Sequence, residues 1–268
     1  MKLKLPVLLL FLVTISCNNE AEKQNSQIDE IITALNFDNV IGSIQQTVSV
    51  QLSSLQNAVG ERVYDGMQSA AHKAYSKDSL KVNFRKFLLT KADSLDVNSF
   101  LKWLRSPLYL KIDKAESRQL TEKDYNNILE LNSKYKNDST LSTRILYIKS
   151  ALRREETELT ADAYASTFRA LIEANRRFVD QMHKIKESDV DFIVDTERKK
   201  FINDMYDRAL VEKLYRYADL SDQELMQITD FKHSSTGKTA TLFIHRAILY
   251  TVKKANLDFL YRVSRISA

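Results

Sequence analysis

Apolar residues recur at helical spacing along most of this chain. From residue 28 to residue 266 they return every three or four positions, which gives a helix one apolar face. Two long stripes of this kind are Val40, Ile41, Ile44, Val48, Leu52, Leu55 and Val59, and Ile248, Leu249, Val252, Ala255, Phe259, Val263 and Ile266. Such a stripe can face a membrane or a partner, but packing in a protein core is its commoner use. The pattern therefore predicts helices packed against each other.

Several helix ends are marked by capping residues. Ser26 is the expected N-cap of the first helix, and residues 36–39 are the first expected break. Ser106 followed by Pro107 predicts a new helix, because proline fits the first helical position. Residues 221–224, Ser-Asp-Gln-Glu, form a capping box. The predicted helical segments are 28–35, 40–59, 63–75, 80–91, 97–104, 107 onward, 121–135, 141–158, 161–186, 196–217, 225 onward and 239–266.

Glycine and proline are too scarce for a fold with many tight turns. The chain contains four glycines and two prolines, and of the prolines only Pro107 lies beyond the first 16 residues. Sheets need many reversals, which depend on these residues, whereas long helices need few. We predict an all-α fold, a multi-helix bundle. Polar residues 136–139 indicate a linker between two related helical halves, 28–135 and 136–268.

The N-terminus has the organisation of an export signal. Lys2 and Lys4 precede an apolar run over residues 5–15, which ends at Ser16 and Cys17. A helix that crosses a bilayer needs roughly 20 apolar residues, and this run has eleven. A short run behind basic residues is typical of a cleaved signal peptide.

Residues 14–17, Thr-Ile-Ser-Cys, resemble the lipobox of bacterial lipoproteins, although Thr14 occupies a position where leucine is usual. The resemblance implies a signal peptide over 1–16, cleavage after Ser16 and a lipid on the Cys17 sulfur. Two or more acyl chains would attach the protein stably to a membrane. The alternatives are an ordinary secreted protein and an uncleaved signal anchor.

This reading places the mature protein in the cell envelope, on the periplasmic or the surface face, with the outer membrane as the expected site. Residues 17–27 are polar and are expected to form a tether between lipid and folded body. Cys17 is the only cysteine, so no disulfide can form within the mature chain.

The charge of the mature chain excludes a nucleic-acid footprint. The full chain carries 40 basic and 35 acidic residues. Without Lys2 and Lys4 the balance is 38 − 35, or +3. This excess is small and evenly spread, whereas nucleic-acid binding needs a concentrated basic face. No nucleic-acid partner is expected.

Two stretches, 100–111 and 228–239, look alike. Trp103 lies three residues before Ser106, and Phe231 lies three residues before Ser234. Helix junctions of this kind end one helix, start another and let the two pack closely.

Each stretch resembles the aromatic-x-x-Ser-Pro-x-Gly-Lys signature of the family called domain of unknown function 2059, helical domains of exported bacterial proteins. The first copy keeps Trp103, Ser106 and Pro107 but has Tyr109 and Leu110 in place of glycine and lysine. The second copy keeps Phe231, Ser234, Gly237 and Lys238 but has Ser235 in place of proline. The resemblance implies a helical fold with two degenerate copies. It implies no activity, because none is established for the family.

Patterns that could carry chemistry are weak. Gly237 and Lys238 suggest a phosphate loop, but that motif needs a glycine where Lys232 stands. None of the four histidines has the spacing that puts two metal ligands on one helix face. His233 and His245 could approach across the turn at Gly237, which leaves a weak metal alternative.

The acidic residues at the start of the second half suggest no catalytic pair. Glu155, Glu156 and Glu158 lie within a helical turn of Arg153 and Arg154, the spacing of a solvated face with ion pairs. The sequence therefore predicts no catalytic residue, no metal and no cofactor.

The leading hypothesis is a non-enzymatic, membrane-anchored lipoprotein that binds a protein partner or an apolar ligand. The alternative is an envelope hydrolase acting on lipid or cell-wall material, and a third possibility is a pure scaffold. A cleft that gathers carboxylates and histidines from both halves would favour the enzyme. A groove lined with leucine, isoleucine and phenylalanine would favour binding.

Overall fold

The computed structural model describes residues 22–179 and 184–266, and within these ranges all regular secondary structure is helical, as predicted. Two short 3-10 turns lie at Ala92–Ser94 and Ser139–Leu141. The helices are α1 (22–34), α2 (Phe37–Ser53), α3 (Glu61–Ala74), α4 (Lys77–Lys91), α5 (Val97–Leu104), α6 (Pro107–Ser117), α7 (Glu122–Lys134), α8 (Ser142–Ala151), α9 (Arg154–Arg176), α10 (Glu187–Arg216), α11 (Asp222–His233) and α12 (Ser235–Val263).

Helix α12 is the centre of the main core. It packs against α9 most extensively and also contacts α3, α4, α5 and α11. Its predicted apolar stripe is buried at Val252, Ala255, Phe259 and Val263. Residues of α1–α5 and α9 complete this core. The long stripe therefore packs inside the protein, the commoner of the two uses considered for it.

A second core lies where α6, α8, α10 and α11 meet. Ile112, Ile148, Leu210 and Ile228 are buried there, one from each of these helices. A small third cluster, Ala165 with Val190 and Val194, joins α9 to the first part of α10.

The two cores do not follow the predicted division of the chain. Helices α9 and α12, from the predicted second half, pack among the first-half helices of the main core. Helices α6 and α7, from the predicted first half, pack with second-half helices in the second core. The halves 28–135 and 136–268 are thus intertwined, although residues 136–138 do lie outside the helices.

The N-terminal prediction needs correction. Ser26 lies inside α1 and is not its N-cap, and residues 22–27, predicted as tether, are helical. Asn25 accepts a hydrogen bond from Arg85 of α4 at 2.9 Å, and Gln27 donates one to Asn98 of α5. These polar side chains find partners on the bundle, so the helix starts earlier than the apolar pattern suggests. Cys17, like all of residues 1–21, lies outside the described residues.

Helix boundaries after the midpoint also differ from the prediction. The predicted helix 141–158 is two helices, α8 and α9, separated by Leu152 and Arg153 with extended backbone. The helix predicted over 161–186 ends at Arg176, and the one predicted from 196 begins at Glu187. No glycine or proline marks these breaks. No helix within residues 22–179 or 184–266 is long and apolar enough to cross a bilayer.

Candidate ligand-binding cavity at the two helix junctions

The two similar stretches form two similar helix junctions. Ser106 is the N-cap of α6, accepts a hydrogen bond from the Tyr109 amide at 3.1 Å, and is followed by Pro107 at the first helical position. Ser234 is the N-cap of α12 and accepts from the Gly237 amide at 3.0 Å. In both, a serine oxygen satisfies an amide that the first helical turn leaves free.

The second junction is tighter than the first. A Cβ atom added to Gly237 would lie 1.8 Å from the carbonyl oxygen of Phe231, far inside contact distance. Only glycine fits there without a backbone shift. At the matching position of the first junction, Tyr109 is accommodated, and its hydroxyl donates a hydrogen bond to the Ala34 carbonyl. Lys238, the last residue of the signature, is exposed.

The aromatic residues of the two junctions pack on each other. The rings of Trp103 and Phe231 are stacked, with centroids 4.0 Å apart and planes 6° from parallel. Tyr109 meets Trp103 edge-on, at a centroid distance of 6.3 Å. The stack joins α5 to α11 and links the two cores, because Trp103 packs against both of them.

A cavity of about 360 Å³ opens beside this stack. Helices α5, α6, α8, α9, α10, α11 and α12 all contribute to its wall, so both predicted halves take part. The apolar wall includes Trp103, Tyr109, Ile112, Leu152, Ile228 and Phe231. The charged residues in the wall are Glu116, Arg153, Glu156, Lys213 and Lys232.

Glu116, Lys213 and Tyr217 form a hydrogen-bonded network on one side of the cavity. The Lys213 ammonium donates to Glu116 Oε1 at 2.5 Å and to the Tyr217 hydroxyl at 3.1 Å, and that hydroxyl donates to Glu116. Burial acts to raise the pKa of Glu116, but the charge and hydrogen bonds of Lys213 and Tyr217 outweigh it and hold the pKa at about 2. Burial acts to lower the pKa of Lys213, but the Glu116 charge raises it overall. Both groups are therefore charged at neutral pH.

Glu156 and Lys232 form a second pair in the cavity wall. Lys232 Nζ donates to Glu156 Oε2 at 2.9 Å, and Glu156 is only 9% exposed. The predicted solvated face is therefore wrong for Glu156, because this side of α9 turns inward against α11. The prediction is right for Arg154 and Glu158, which form an exposed pair at 2.9 Å.

Two charged atoms of the wall are buried without a hydrogen-bond partner among the described residues. They are Oε1 of Glu156 and Nη1 of Arg153. The other terminal nitrogen of Arg153 pairs with Glu155, whose side chain is largely exposed. A buried charged group without a hydrogen-bond partner lowers the stability of the folded protein more than a neutral group does. Both atoms therefore need a physical explanation.

His245 of α12 also lines the cavity. Its Nδ1 lies 2.9 Å from the Thr241 carbonyl oxygen, which can only accept, so Nδ1 carries the proton and Nε2 a lone pair. Burial lowers the pKa of His245, which keeps the ring neutral at pH 7. His233, in contrast, packs on Ser150 of α8. Among the described residues, no cluster of three or more potential metal ligands occurs.

The structure brings together some of the sequence-predicted residues and adds others. Trp103 and Phe231 meet in the cavity wall, whereas Ser106, Ser234 and Gly237 shape the junctions behind it. The charged residues of the wall were not predicted as a group. Only Lys232 carried a local signal, because it directly follows Phe231 in the second signature.

Comparison with known proteins adds no relative. No protein-family model, no curated protein and no solved structure matches this chain. The resemblance to the domain of unknown function 2059 family therefore stays a prediction. The cavity itself combines apolar walls with fixed charges, an arrangement suited to holding a small molecule that has both characters.

Proposed function

We propose that the protein is a lipid-anchored cell-envelope protein that binds a small apolar or amphipathic ligand in the cavity beside Trp103 and Phe231. The observation that carries this proposal is the cavity itself, whose wall includes the stacked aromatic residues of both helix junctions. Its volume, about 360 Å³, is within the roughly 300–1,000 Å³ of small-molecule sites. It is more than twice the roughly 150 Å³ of an engineered cavity that accepts benzene.

The chemistry of the charged groups supports binding over catalysis. Glu116 has a depressed pKa and is ionised, so it is a poor proton donor at neutral pH. Glu156 is paired with Lys232. Carboxylates in such opposite-charge pairs can orient a ligand. A carboxylic acid that acts as a general acid needs a raised pKa instead.

Trp103 provides a direct test of binding, because it is the only tryptophan in the chain and lies in the cavity wall. Bromine quenches tryptophan fluorescence on contact. We expect a decyl chain with a terminal bromine to quench Trp103 saturably at concentrations below its micelle threshold. Quenching should weaken when Ile112 and Ile228, two residues of the cavity wall, are both replaced by phenylalanine, because the larger side chains reduce the cavity volume. Failure of every decyl probe to quench would refute the binding proposal.

The membrane anchor is tested separately. Lipidated protein should carry acyl groups on Cys17 as its first residue and should fractionate with membranes. The Cys17→Ala form should lose both properties. Intact Met1 or an unmodified Cys17 thiol in the purified protein, seen by mass spectrometry, would contradict the lipoprotein assignment.

The envelope hydrolase is the second candidate, and His245 is the observation that favours it. The neutral ring carries a lone pair on Nε2 and lines the cavity with Glu156, so it has the protonation state of a general base. A chromogenic decyl ester and purified cell-wall material distinguish the candidates. Turnover that is lost in His245→Gln supports the hydrolase, and saturable binding without turnover supports the binding protein.

A further inference from the structure

We infer that the ligand of this cavity is an amphiphile with an anionic head group, a carboxylate or a phosphate, which Lys232 and Arg153 bind while the hydrocarbon chain packs on Trp103 and Phe231. This inference rests on the proposed function and specifies its ligand.

The charge of the cavity wall favours an anionic ligand. Within the described chain, three basic and two acidic residues line the cavity, and His245 is neutral, so the wall carries 3 − 2, or one positive charge. Glu155 also pairs with Arg153, through Nη2, but it is not part of the cavity wall and its side chain is 61% exposed to solvent. A ligand with one negative charge would neutralise the wall.

The cavity wall also has a surplus of hydrogen-bond donors. A lysine ammonium has three N–H donors, and within the described chain Lys232 donates once, to Glu156. Arg153 Nη1 is buried with no partner among the described residues. Against these donors, the wall leaves one buried acceptor unsatisfied, Glu156 Oε1. The oxygens of a carboxylate or phosphate supply acceptors for both cations.

Lys232 also lies next to the aromatic stack. Lys232 directly follows Phe231 in α11, and both residues line the cavity. A head group at Lys232 therefore lies beside the apolar wall that would receive its chain. The side chain of Lys232 is 26% exposed and forms part of the cavity wall.

The test uses matched probes that share one bromodecyl chain and differ only in the head group. The probes are ω-bromodecanoate, ω-bromodecyl phosphate, ω-bromodecanol and ω-bromodecyl phosphocholine, titrated against the full-length protein with Trp103 fluorescence as the readout. We expect one of the two anionic probes to bind at least about tenfold more tightly than the alcohol, the ratio for one charge-assisted hydrogen bond. The tighter of the two anions identifies the source of the head group.

Variants locate the head group. Lys232→Met should lower the affinity for the anionic probe about tenfold and leave the affinity for the alcohol unchanged. Lys232→Arg should restore the affinity for the anionic probe. Because Lys232→Met leaves Glu156 buried without its partner, the double variant Lys232→Met/Glu156→Gln serves as a second test that removes the pair together. Lys238→Met is the matched control, since Lys238 belongs to the same signature but is exposed outside the cavity wall.

The outcomes separate the two proposals. If no decyl probe quenches Trp103, the cavity does not bind amphiphiles and the proposed function fails. If the alcohol or the phosphocholine binds as tightly as the anions, the cavity binds chains but the anionic head group is wrong. Unchanged anion affinity in both Lys232→Met and the double variant would also overturn the inference.

Discussion

The ring of Trp103 lies flat against the ring of Phe231, 128 residues later in the chain, at a centroid distance of 4.0 Å. Each residue precedes the serine N-cap of its junction by three positions. The repeated stretches therefore meet face to face, and their aromatic residues form one contact between the two cores. This contact also forms part of the cavity wall, so stability and the proposed ligand binding would depend on the same pair.

The stack should be measurable as an energetic coupling. We expect Trp103→Leu and Phe231→Leu to be non-additive, with a coupling of about 1 kcal/mol, because aromatic pairs contribute roughly 0.5–1.5 kcal/mol beyond burial. The measurement is a double-mutant cycle by urea denaturation, followed by circular dichroism since Trp103 is the only tryptophan. Phe192→Leu, at a residue 73% exposed on α10, is the control and should add independently to Trp103→Leu. Additive effects of the first pair would contradict a coupled stack.

Gly237 should tolerate no larger residue. Gly237→Ala places a methyl group against the Phe231 carbonyl, so the junction must shift, and we expect a loss of about 1–3 kcal/mol in the free energy of unfolding. Gly42→Ala is the matched control, because it lies inside α2 with open space around its Cα. That substitution should stabilise the protein by roughly 0.5–1 kcal/mol. Equal effects of the two substitutions, by urea denaturation, would show that the close approach at Gly237 is not present.

A buried hydroxyl ties the end of α3 to α12 and α9. Tyr75 donates a 2.5 Å hydrogen bond to Asn256 Oδ1, and the Asn256 amide donates to Ser166 of α9. Tyr75→Phe leaves Asn256 Oδ1 buried without a donor, so we expect a loss of about 1–3 kcal/mol. Tyr125→Phe, at a tyrosine 57% exposed on α7, should change stability by less than about 0.5 kcal/mol. A Tyr75→Phe protein as stable as the wild type would contradict the role of this hydrogen bond.

The sequence predicted the features that depend on neighbouring residues. Ser106 and Pro107 start α6 as expected, because capping acts within the first helical turn. The break at Leu152 was missed, since no glycine or proline marks it. The burial of Glu156 was missed for a different reason. Its charged neighbours Arg153 and Arg154 made a solvated face plausible, and its partner Lys232 is 76 residues away.

The cavity was the least predictable part of the molecule. The repeat related Trp103 to Phe231 but gave no sign that their rings face each other. Glu116 and Lys213 are 97 residues apart and belong to different predicted halves. Helical periodicity identifies which face of each helix is buried, but it does not say which two faces meet. The pairing of distant charges depends on helix packing, which a single sequence does not encode locally.

The network around Glu116 should make stability depend on pH in the acid range. The pKa of Glu116 is lowered from an ordinary value of 4.5 to about 2 in the folded protein. Between these values the unfolded chain binds a proton at Glu116 that the folded protein does not bind, so stability rises with pH there. The stabilisation from this group is fully present above pH 4.5 and is lost as the pH falls through about 2.

Glu116→Gln should therefore reduce the slope of unfolding free energy against pH between about pH 4.5 and pH 2. The measurement is urea denaturation at a series of pH values, with carboxyl-carbon NMR of Glu116 to follow its titration directly. Lys213→Arg keeps the positive charge beside Glu116 and should retain the slope. Lys213→Met should raise the pKa of Glu116, because it removes the positive charge that most strongly opposes the effect of burial. If the slope is the same in Glu116→Gln and in the wild type, the ion pair with Lys213 does not hold Glu116 ionised. A pKa of Glu116 that NMR finds at its ordinary value would lead to the same conclusion. Since that pair includes one of the two negative charges in the cavity wall, the result also bears on the head group that we propose for the cavity.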